Sequence, residues 1–163
     1  SWLDHVSTYK ARKYINSHVS RKPKSVFERC LNCHPLPGDE VIGFRNPDGS
    51  VQVHKRNCQT AIRLASQHGD SIVAVNFEEE STCLYPVRIS VRAIDRYHLL
   101  SDLVDCITEK LKLSMIGLRT ETTDHIGVCT IDFEVHSMNE LQTAMDSIAA
   151  IDGVDEVQRI DIE

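Results

Sequence analysis

Three cysteines and one histidine, spaced as two pairs, constrain this chain more than any other feature of its sequence. Cys30 and Cys33 form a C-x2-C pair, and after 20 intervening residues His54 and Cys58 form an H-x3-C pair. Structural zinc is held by four such thiolate and imidazole ligands at the corners of a tetrahedron. The spacing therefore predicts a structural Zn2+ site at these four residues, with His34 as an alternative fourth ligand.

The segment that joins the two pairs predicts a β-hairpin followed by a helix. Residues 41–44 and 51–54 have the composition of short strands, and the turn between them contains Asn-Pro and Asp-Gly pairs. Residues 57–67 then carry apolar side chains at helical spacing, Gly69 ends the helix, and 71–77 form a strand. His54 would end the second strand of the hairpin, and Cys58 would begin the helix, where the helix dipole favours a thiolate.

The second half of the chain alternates strand and helix patterns in a fixed order. The predicted elements are a strand at 86–93, a helix at 101–112, strands at 113–122 and 126–136, a helix at 139–151 and a strand at 154–162. This β-α-β-β-α-β order predicts a ferredoxin-like antiparallel sheet with both helices on one face, so the chain as a whole is α+β. The open face or an edge of such a sheet would pair with another copy or with a partner.

The remaining cysteines and the hydropathy bear on the cellular compartment. Cys83, Cys106 and Cys129 stand alone inside apolar patterns, which predicts buried free thiols and not a secreted disulfide framework. No apolar run approaches the length of a membrane span, and the first residues lack the layout of a signal peptide. We therefore expect a cytoplasmic protein with no membrane partner.

The charge is distributed unevenly along the chain. The net charge is −6, but residues 1–30 hold seven Lys or Arg against two acidic residues. Residues 2–19 partly fit a helical stripe, and 21–25 read as a charged linker that contains a proline. A basic leading segment on an acidic body indicates contact with a polyanion, although a solvated helix face explains it equally well.

The metal motif and its surroundings closely resemble the signature of a known family. Residues 33–44, C-H-P-L-P-G-D-E-V-I-G-F, and 51–58, V-Q-V-H-K-R-N-C, match the C-P-x-P-G-D-x-I-x-G-F…V-H-R-x-D-C pattern of the RelA/SpoT family of (p)ppGpp synthetase/hydrolases. In that family the pattern marks a zinc-finger module directly ahead of a C-terminal ACT domain. The resemblance implies three parts: 1–27, a helical segment and linker similar to the helix that trails the family's TGS domain; 28–80, the zinc-finger module; and 84–163, the ACT domain.

The resemblance also implies a regulatory fragment without a catalytic centre. The parent enzyme would transfer pyrophosphate from ATP to GTP or GDP and hydrolyse the product, using N-terminal domains that precede this region. The family's C-terminal half docks on the ribosome when uncharged tRNA is present and passes that state to the catalytic half. Arg45, Lys55 and Arg56 lie in or beside the predicted hairpin and are candidate contacts to RNA phosphates, unless they are ordinary solvated charges.

Two other functions fit the predicted ACT domain. It could sense an amino acid at the loop formed by Asp95, Arg96, Tyr97 and His98, where related domains carry D-R-x-G-L-L; here His98 takes the place of the glycine. It could also serve only for oligomerisation, as a homodimer through its sheet, or for autoinhibition. Scattered acidic residues and histidines such as Asp95, His98 and Asp102 are interpreted as loop and helix-cap residues and not as catalysts.

Overall fold

The structure is a computed structural model that describes residues 7–9, 27–78 and 82–162. The chain divides into two compact units, Ser1–Glu79 and Glu80–Glu163. Within the described ranges, every helix is too short or too polar to span a bilayer.

The first unit is built on a five-stranded sheet with strand order β1-β5-β3-β4-β2. The central strand β3 is antiparallel to both of its neighbours, whereas β1 is parallel to β5 and β2 is parallel to β4. Helix α1 and a short 3-10 turn, Gly69–Ser71, connect β4 to β5. The elements are β1 Ser7–Tyr9, β2 Phe27–Arg29, β3 Val41–Arg45, β4 Val51–Lys55, α1 Gln59–Gln67 and β5 Ile72–Val75.

The predicted hairpin is confirmed as β3 and β4. The backbone N–H of Asn46 donates to the carbonyl of Ser50 at 2.7 Å, and the Asp48 carboxylate accepts from the backbone N–H of Ser50 at 2.9 Å. Gly49 has a φ of +87°, a conformation that side-chain-bearing residues rarely adopt. The Asn-Pro and Asp-Gly pairs therefore supply the local chemistry that closes the hairpin.

One predicted element of the first unit is wrong where the structure describes it. A helix was expected over 2–19, but Ser7–Tyr9 form strand β1, paired with Val73–Val75 of β5. Ser, Thr and Tyr are weak helix formers. Backbone hydrogen bonds to the edge of β5 therefore outweigh the partial helical spacing of the apolar residues. The rest of the predicted helix and the predicted linker lie outside the described residues.

The second unit is a four-stranded antiparallel sheet with strand order β7-β8-β6-β9. The predicted β-α-β-β-α-β order and the α+β class are confirmed. Helix α2 continues as a π-turn, Cys106–Lys110, before the chain enters β7. The elements are β6 Tyr85–Ile94, α2 Leu99–Asp105, β7 Ser114–Thr123, β8 Ile126–Val135, α3 Met138–Ala149 and β9 Val154–Ile160.

Alternation along β6 and β8 places the core of this unit on one face of the sheet. Buried side chains alternate with more exposed ones along both central strands, and the buried faces of α2 and α3 complete the core. At the start of α3, Ser137 accepts from the N–H of Glu140 at 3.1 Å, and the Glu140 carboxylate accepts from the N–H of His136 at 3.1 Å. Ser137 is therefore the N-cap of α3, and Glu140 reaches back to the residue before the cap, in a variant of the capping box.

The three isolated cysteines behave differently from one another. Cys106 and Cys129 are buried in the core, as predicted. Cys83 is only partly buried, so the expectation that it belongs to the core is wrong. It lies ahead of β6, where the alternating pattern of the strand has not yet begun.

Candidate metal centre

The structure brings Cys30, Cys33, His54 and Cys58 together. One ligand atom from each side chain lies within 4.8 Å of all the others, and all four residues are buried. The three cysteines are free thiols. A buried set of three thiols and one imidazole at this separation has the composition and size of a site for a tetrahedrally coordinated cation.

Three elements position these four side chains. Cys30 follows β2 and donates its N–H to the carbonyl of Val53 at 2.8 Å, which fixes the C-x2-C turn against β4. His54 lies on β4, opposite Ile42 of β3. Cys58 is the N-cap residue of α1, so the helix begins one residue later, at Gln59. The predicted placement of His54 on the second hairpin strand and of Cys58 at the helix start is therefore confirmed.

Backbone N–H groups point at two of the sulfur atoms. The N–H of Asn32 donates to Sγ of Cys30 at 3.4 Å, and the N–H of Lys55 donates to Sγ of Cys33 at 3.3 Å. Such donors stabilise negative charge on sulfur, and they orient the cysteines that ligate a metal. The motif spacing did not predict these donors, because any residue has the backbone group that they use.

The protonation of the thiols is uneven across the cluster. Burial raises the pKa of Cys33 to about 12, and the neighbouring thiols of Cys30 and Cys58 add to this, although the Lys55 N–H opposes it. Burial also raises the pKa of Cys58, but the N–H groups of Ala61 and Thr60 and the two neighbouring thiols lower it, and the net shift is downwards. The start of α1 thus favours the thiolate at Cys58, while burial and the neighbouring thiols favour the neutral thiol at Cys33, a preference that a bound cation would reverse.

His54 completes the donor set as a neutral imidazole. It is 1% exposed, and burial lowers its pKa. Its Nδ1 lies 3.7 Å from Sγ of Cys58, and the ring packs edge-on against Phe44 with centroids 5.6 Å apart. Its Nε2 is buried without a hydrogen-bond partner among the described residues. A buried ring nitrogen without a hydrogen-bond partner costs about 1–3 kcal/mol, and Nδ1, not Nε2, is the nitrogen that faces a cysteine sulfur of the cluster.

His34 does not join the cluster. The group of potential ligands comprises Cys30, Cys33, His54 and Cys58. His34 adopts a left-handed backbone conformation, with a φ of +48°, just after the turn from Cys30 to Cys33. The C-x2-C and H-x3-C set is thus the one that the fold assembles.

The candidate cationic contacts differ in accessibility. Arg45, at the end of β3, and Arg56, just after β4, are exposed, and Arg56 lies 3.6 Å from the carboxylate of Glu40. Lys55 is only 9% exposed, so little of its side chain is open to an RNA phosphate, and its role as an RNA contact stays a prediction. It lies on β4 between His54 and the turn into α1, and its backbone N–H serves the metal cluster.

One arginine, Arg96, fixes the conformation of the candidate ligand loop, residues 95–98, by hydrogen bonds. Arg96 donates from Nε to the carbonyl of Asp152 at 2.7 Å, from Nη1 to the carbonyl of Tyr97 at 2.9 Å, and from Nη2 to the carboxylate of Asp102 at 2.7 Å. The Asp152 contact spans 56 positions of sequence, so no local pattern could predict it. Asp95 donates its N–H to the carbonyl of His125 at 2.8 Å, and the loop is therefore held at both ends.

His98 occupies a position that suits glycine. Its φ is +66°, and its ring lies 3.9 Å from that of Tyr97, which is 85% exposed. The left-handed conformation explains why related loops carry glycine here. The imidazole of His98 packs against the ring of Tyr97, and amino-acid binding at this loop stays a prediction.

Each unit of the chain matches a different family model. Residues 20–78 match the model of the RelA/SpoT RIS domain, and residues 81–159 match an ACT domain model. The two matches follow one another in the order of the two units.

Curated relatives cover both units. The chain is 29% identical over 129 residues to the bifunctional (p)ppGpp synthase/hydrolase RelA of Mycobacterium tuberculosis, an alignment that covers 78% of this chain and 17% of that protein. It is 25% identical over 134 residues to the GTP pyrophosphokinase of Haemophilus influenzae, covering 81% of this chain and 18% of that protein. The chain thus spans less than a fifth of the length of these relatives.

Among solved structures, the chain is similar to the ACT domain from GTP pyrophosphokinase of Chlorobium tepidum. The match has a TM-score of 0.44 and 19% sequence identity, and it covers 48% of this chain and 100% of that domain.

Proposed function

From the premise that this chain joins a RelA/SpoT RIS domain to an ACT domain, we propose that it is a regulatory region and not a catalytic one. The chain is homologous to the C-terminal region of RelA/SpoT-type GTP pyrophosphokinases. It docks on ribosomal RNA and uncharged tRNA in the cytoplasm and relays amino-acid starvation to N-terminal catalytic domains of a parent (p)ppGpp synthetase/hydrolase. The observation that carries this proposal is the buried Cys3His cluster, because it fixes the hairpin and the start of α1 as one rigid surface.

Zinc is the cation that this cluster suits best. Cys30, Cys33, His54 and Cys58 would hold it, since three thiolates and a neutral imidazole are soft or borderline ligands with no open position for substrate. A bound Zn2+ supplies structural stabilisation of about 10–16 kcal/mol near neutral pH. The C-x2-C turn, the backbone N–H donors to sulfur and the start of α1 would orient the four side chains before the metal binds.

Replacement of one ligand tests the zinc assignment. Cys33→Ser should lose its stoichiometric zinc and unfold residues 27–78 selectively, as measured by metal analysis together with amide NMR spectra. Cys106→Ser is the matched control, because Cys106 is equally buried but belongs to the second unit. If Cys33→Ser retains one zinc per chain, the four-ligand assignment is wrong.

Two exposed arginines at opposite ends of the hairpin support docking on RNA. Arg45 and Arg56 flank the two strands of the hairpin, whose geometry the cluster fixes. Guanidinium groups held on a rigid scaffold suit phosphate oxygens, and they supply affinity that falls as salt rises. The ion pair of Arg56 with Glu40 is exposed, and an exposed ion pair exchanges readily for a phosphate.

Co-sedimentation with ribosomes that carry deacylated tRNA tests this docking. The double variant Arg45→Glu, Arg56→Glu should bind at least about tenfold more weakly, with a smaller dependence on salt concentration. Arg63→Glu is the control, since Arg63 is exposed on α1 away from the hairpin. Unchanged binding by the double variant would remove the hairpin from the interface, and unchanged binding after metal removal would remove the cluster from the mechanism.

Pairing of two ACT sheets is a second candidate function, favoured by the open face of the second unit. Ile94, Ile126 and Val128 are 55%, 41% and 39% exposed, and Ile94 pairs with Ile126 in register. An apolar cluster on an uncovered sheet face suits a second copy of the same face. Ile126→Glu should shift a dimer to monomer in sedimentation experiments, whereas a chain that is monomeric at all concentrations would exclude this function.

A further inference from the structure

A groove in the first unit lies at the end of the hairpin remote from the metal cluster. It has a volume of about 620 Å3 and runs between the tip of the hairpin and the end of α1. Its apolar lining comes from Phe44, Leu64 and Val73, of which Phe44 and Val73 are buried. Concave surfaces with an apolar floor and a few convergent polar groups are typical of small-molecule sites.

The rim of the groove carries unused polar groups of both signs. Arg45, His68 and Asp70 line it, and all three are exposed. Within the part of the chain that the structure describes, none of these three side chains forms an ion pair or a hydrogen bond. Their charged and hydrogen-bonding groups are therefore available to a ligand.

The register of the sheet places the two opposite charges at the same end of neighbouring strands. Phe44 of β3 pairs with Ile72 of β5 in antiparallel register. Arg45 follows Phe44, and Asp70 precedes Ile72 by two positions, so both residues extend past the paired positions in the same direction. Asp70 lies in the 3-10 turn just ahead of β5, and both it and Arg45 line the same groove, so a ligand with one positive and one negative group can meet an opposite charge at each.

We propose that this groove binds a free amino acid with an apolar side chain. Its carboxylate would meet the guanidinium of Arg45, its ammonium group would meet the carboxylate of Asp70, and its side chain would lie on the apolar floor. The C-terminal end of α1 lies beside His68 and adds partial negative charge, which favours the ammonium group. A polyanion such as RNA fits the groove less well, because Asp70 opposes it.

Ligand analogues separate the two charge contacts. With the zinc-loaded 163-residue chain, L-leucine titrated to a concentration on the order of 10 mM should shift the amide NMR signals of residues 44–46 and 68–73. Leucinamide lacks the carboxylate and 4-methylpentanoate lacks the ammonium group, and each should bind about tenfold more weakly. Glycine, without an apolar side chain, should also bind more weakly.

Variants test the same contacts from the side of the protein. Asp70→Asn and Arg45→Gln should each weaken leucine binding about tenfold. Asp105→Asn and Arg63→Gln, which remove exposed charges outside the groove, should leave leucine binding unchanged. Retained zinc content and an unchanged melting temperature would show that each variant is folded.

Three outcomes would overturn the proposal. Leucine causes no shifts, or shifts confined to residues 95–98; Asp70→Asn binds leucine as the unmodified chain does; or Asp70→Asn binds an RNA oligonucleotide more tightly while leucine does not compete. Arg45 also belongs to the proposed RNA contacts, so Arg56 and Asp70 separate the two proposals. Failure of leucine to bind while Arg56→Glu weakens docking would overturn this inference alone, and leucine binding while Arg56→Glu docks normally would overturn the RNA contact alone.

Discussion

The two units of this chain bury their interiors in different ways. The core of the second unit consists of aliphatic and aromatic side chains, among them Ile89, Leu103, Ile131 and Phe133, each less than 2% exposed. The corresponding cluster in the first unit includes three cysteines and only a few large apolar residues, with His54 buried beside them. The first unit also buries Leu36, Val51 and Val53 completely, but its apolar core is smaller than that of the second unit, so we expect the first unit to gain more from a bound cation.

Removal of the metal should have the largest effect on this comparison. A zinc chelator should unfold residues 27–78 and leave 82–162 folded, because a bound structural zinc contributes about 10–16 kcal/mol to one unit and nothing to the other. Amide NMR spectra before and after chelation measure both units at once, and restored signals on addition of zinc serve as the control. Simultaneous collapse of both units would show that the second also depends on the cluster.

The converse experiment removes apolar volume from the second unit. Phe133→Ala should destabilise that unit by about 3–5 kcal/mol, since Phe133 is fully buried on β8 and truncation leaves a cavity. Urea unfolding followed by NMR should show the loss only in residues 82–162, with one zinc per chain retained. Loss of zinc in this variant would contradict the independent stabilisation of the two units.

Arg96 provides the second unit with a polar cross-link in place of a metal. Arg96→Ala should reduce stability by about 1–3 kcal/mol, because it leaves the carbonyls of Tyr97 and Asp152 and the carboxylate of Asp102 without their donor. Arg119→Ala, an exposed change on β7, is a suitable control. Equal melting temperatures for the two variants would mean that water replaces the guanidinium at little cost.

The sequence predicted the two units for different reasons and to different extents. Alternation and helical spacing gave the order of the second unit, since each element buries one face of its own. The four members of the Cys3His cluster were predictable because metal-ligand chemistry admits few residue types. The burial of Lys55 was not predictable, since the burial of one side chain depends on neighbours that are distant in sequence. The same holds for the Arg96 contacts and for β1, which exists through pairing with residues more than 60 positions away.

Substitution of His98 should have the smallest effect on stability. It tests how the second unit differs from related domains. His98→Gly should stabilise the unit by about 1 kcal/mol or less, because glycine adopts a φ of +66° without the clash of a Cβ, although it also raises the entropy of the unfolded chain. His125→Gly is the matched comparison, since His125 has a φ of +67°. Urea midpoints should rise in both variants. A fall confined to His98→Gly would show that the ring contact with Tyr97 outweighs the backbone strain, and that histidine is retained at this position for the exposed aromatic pair that it forms.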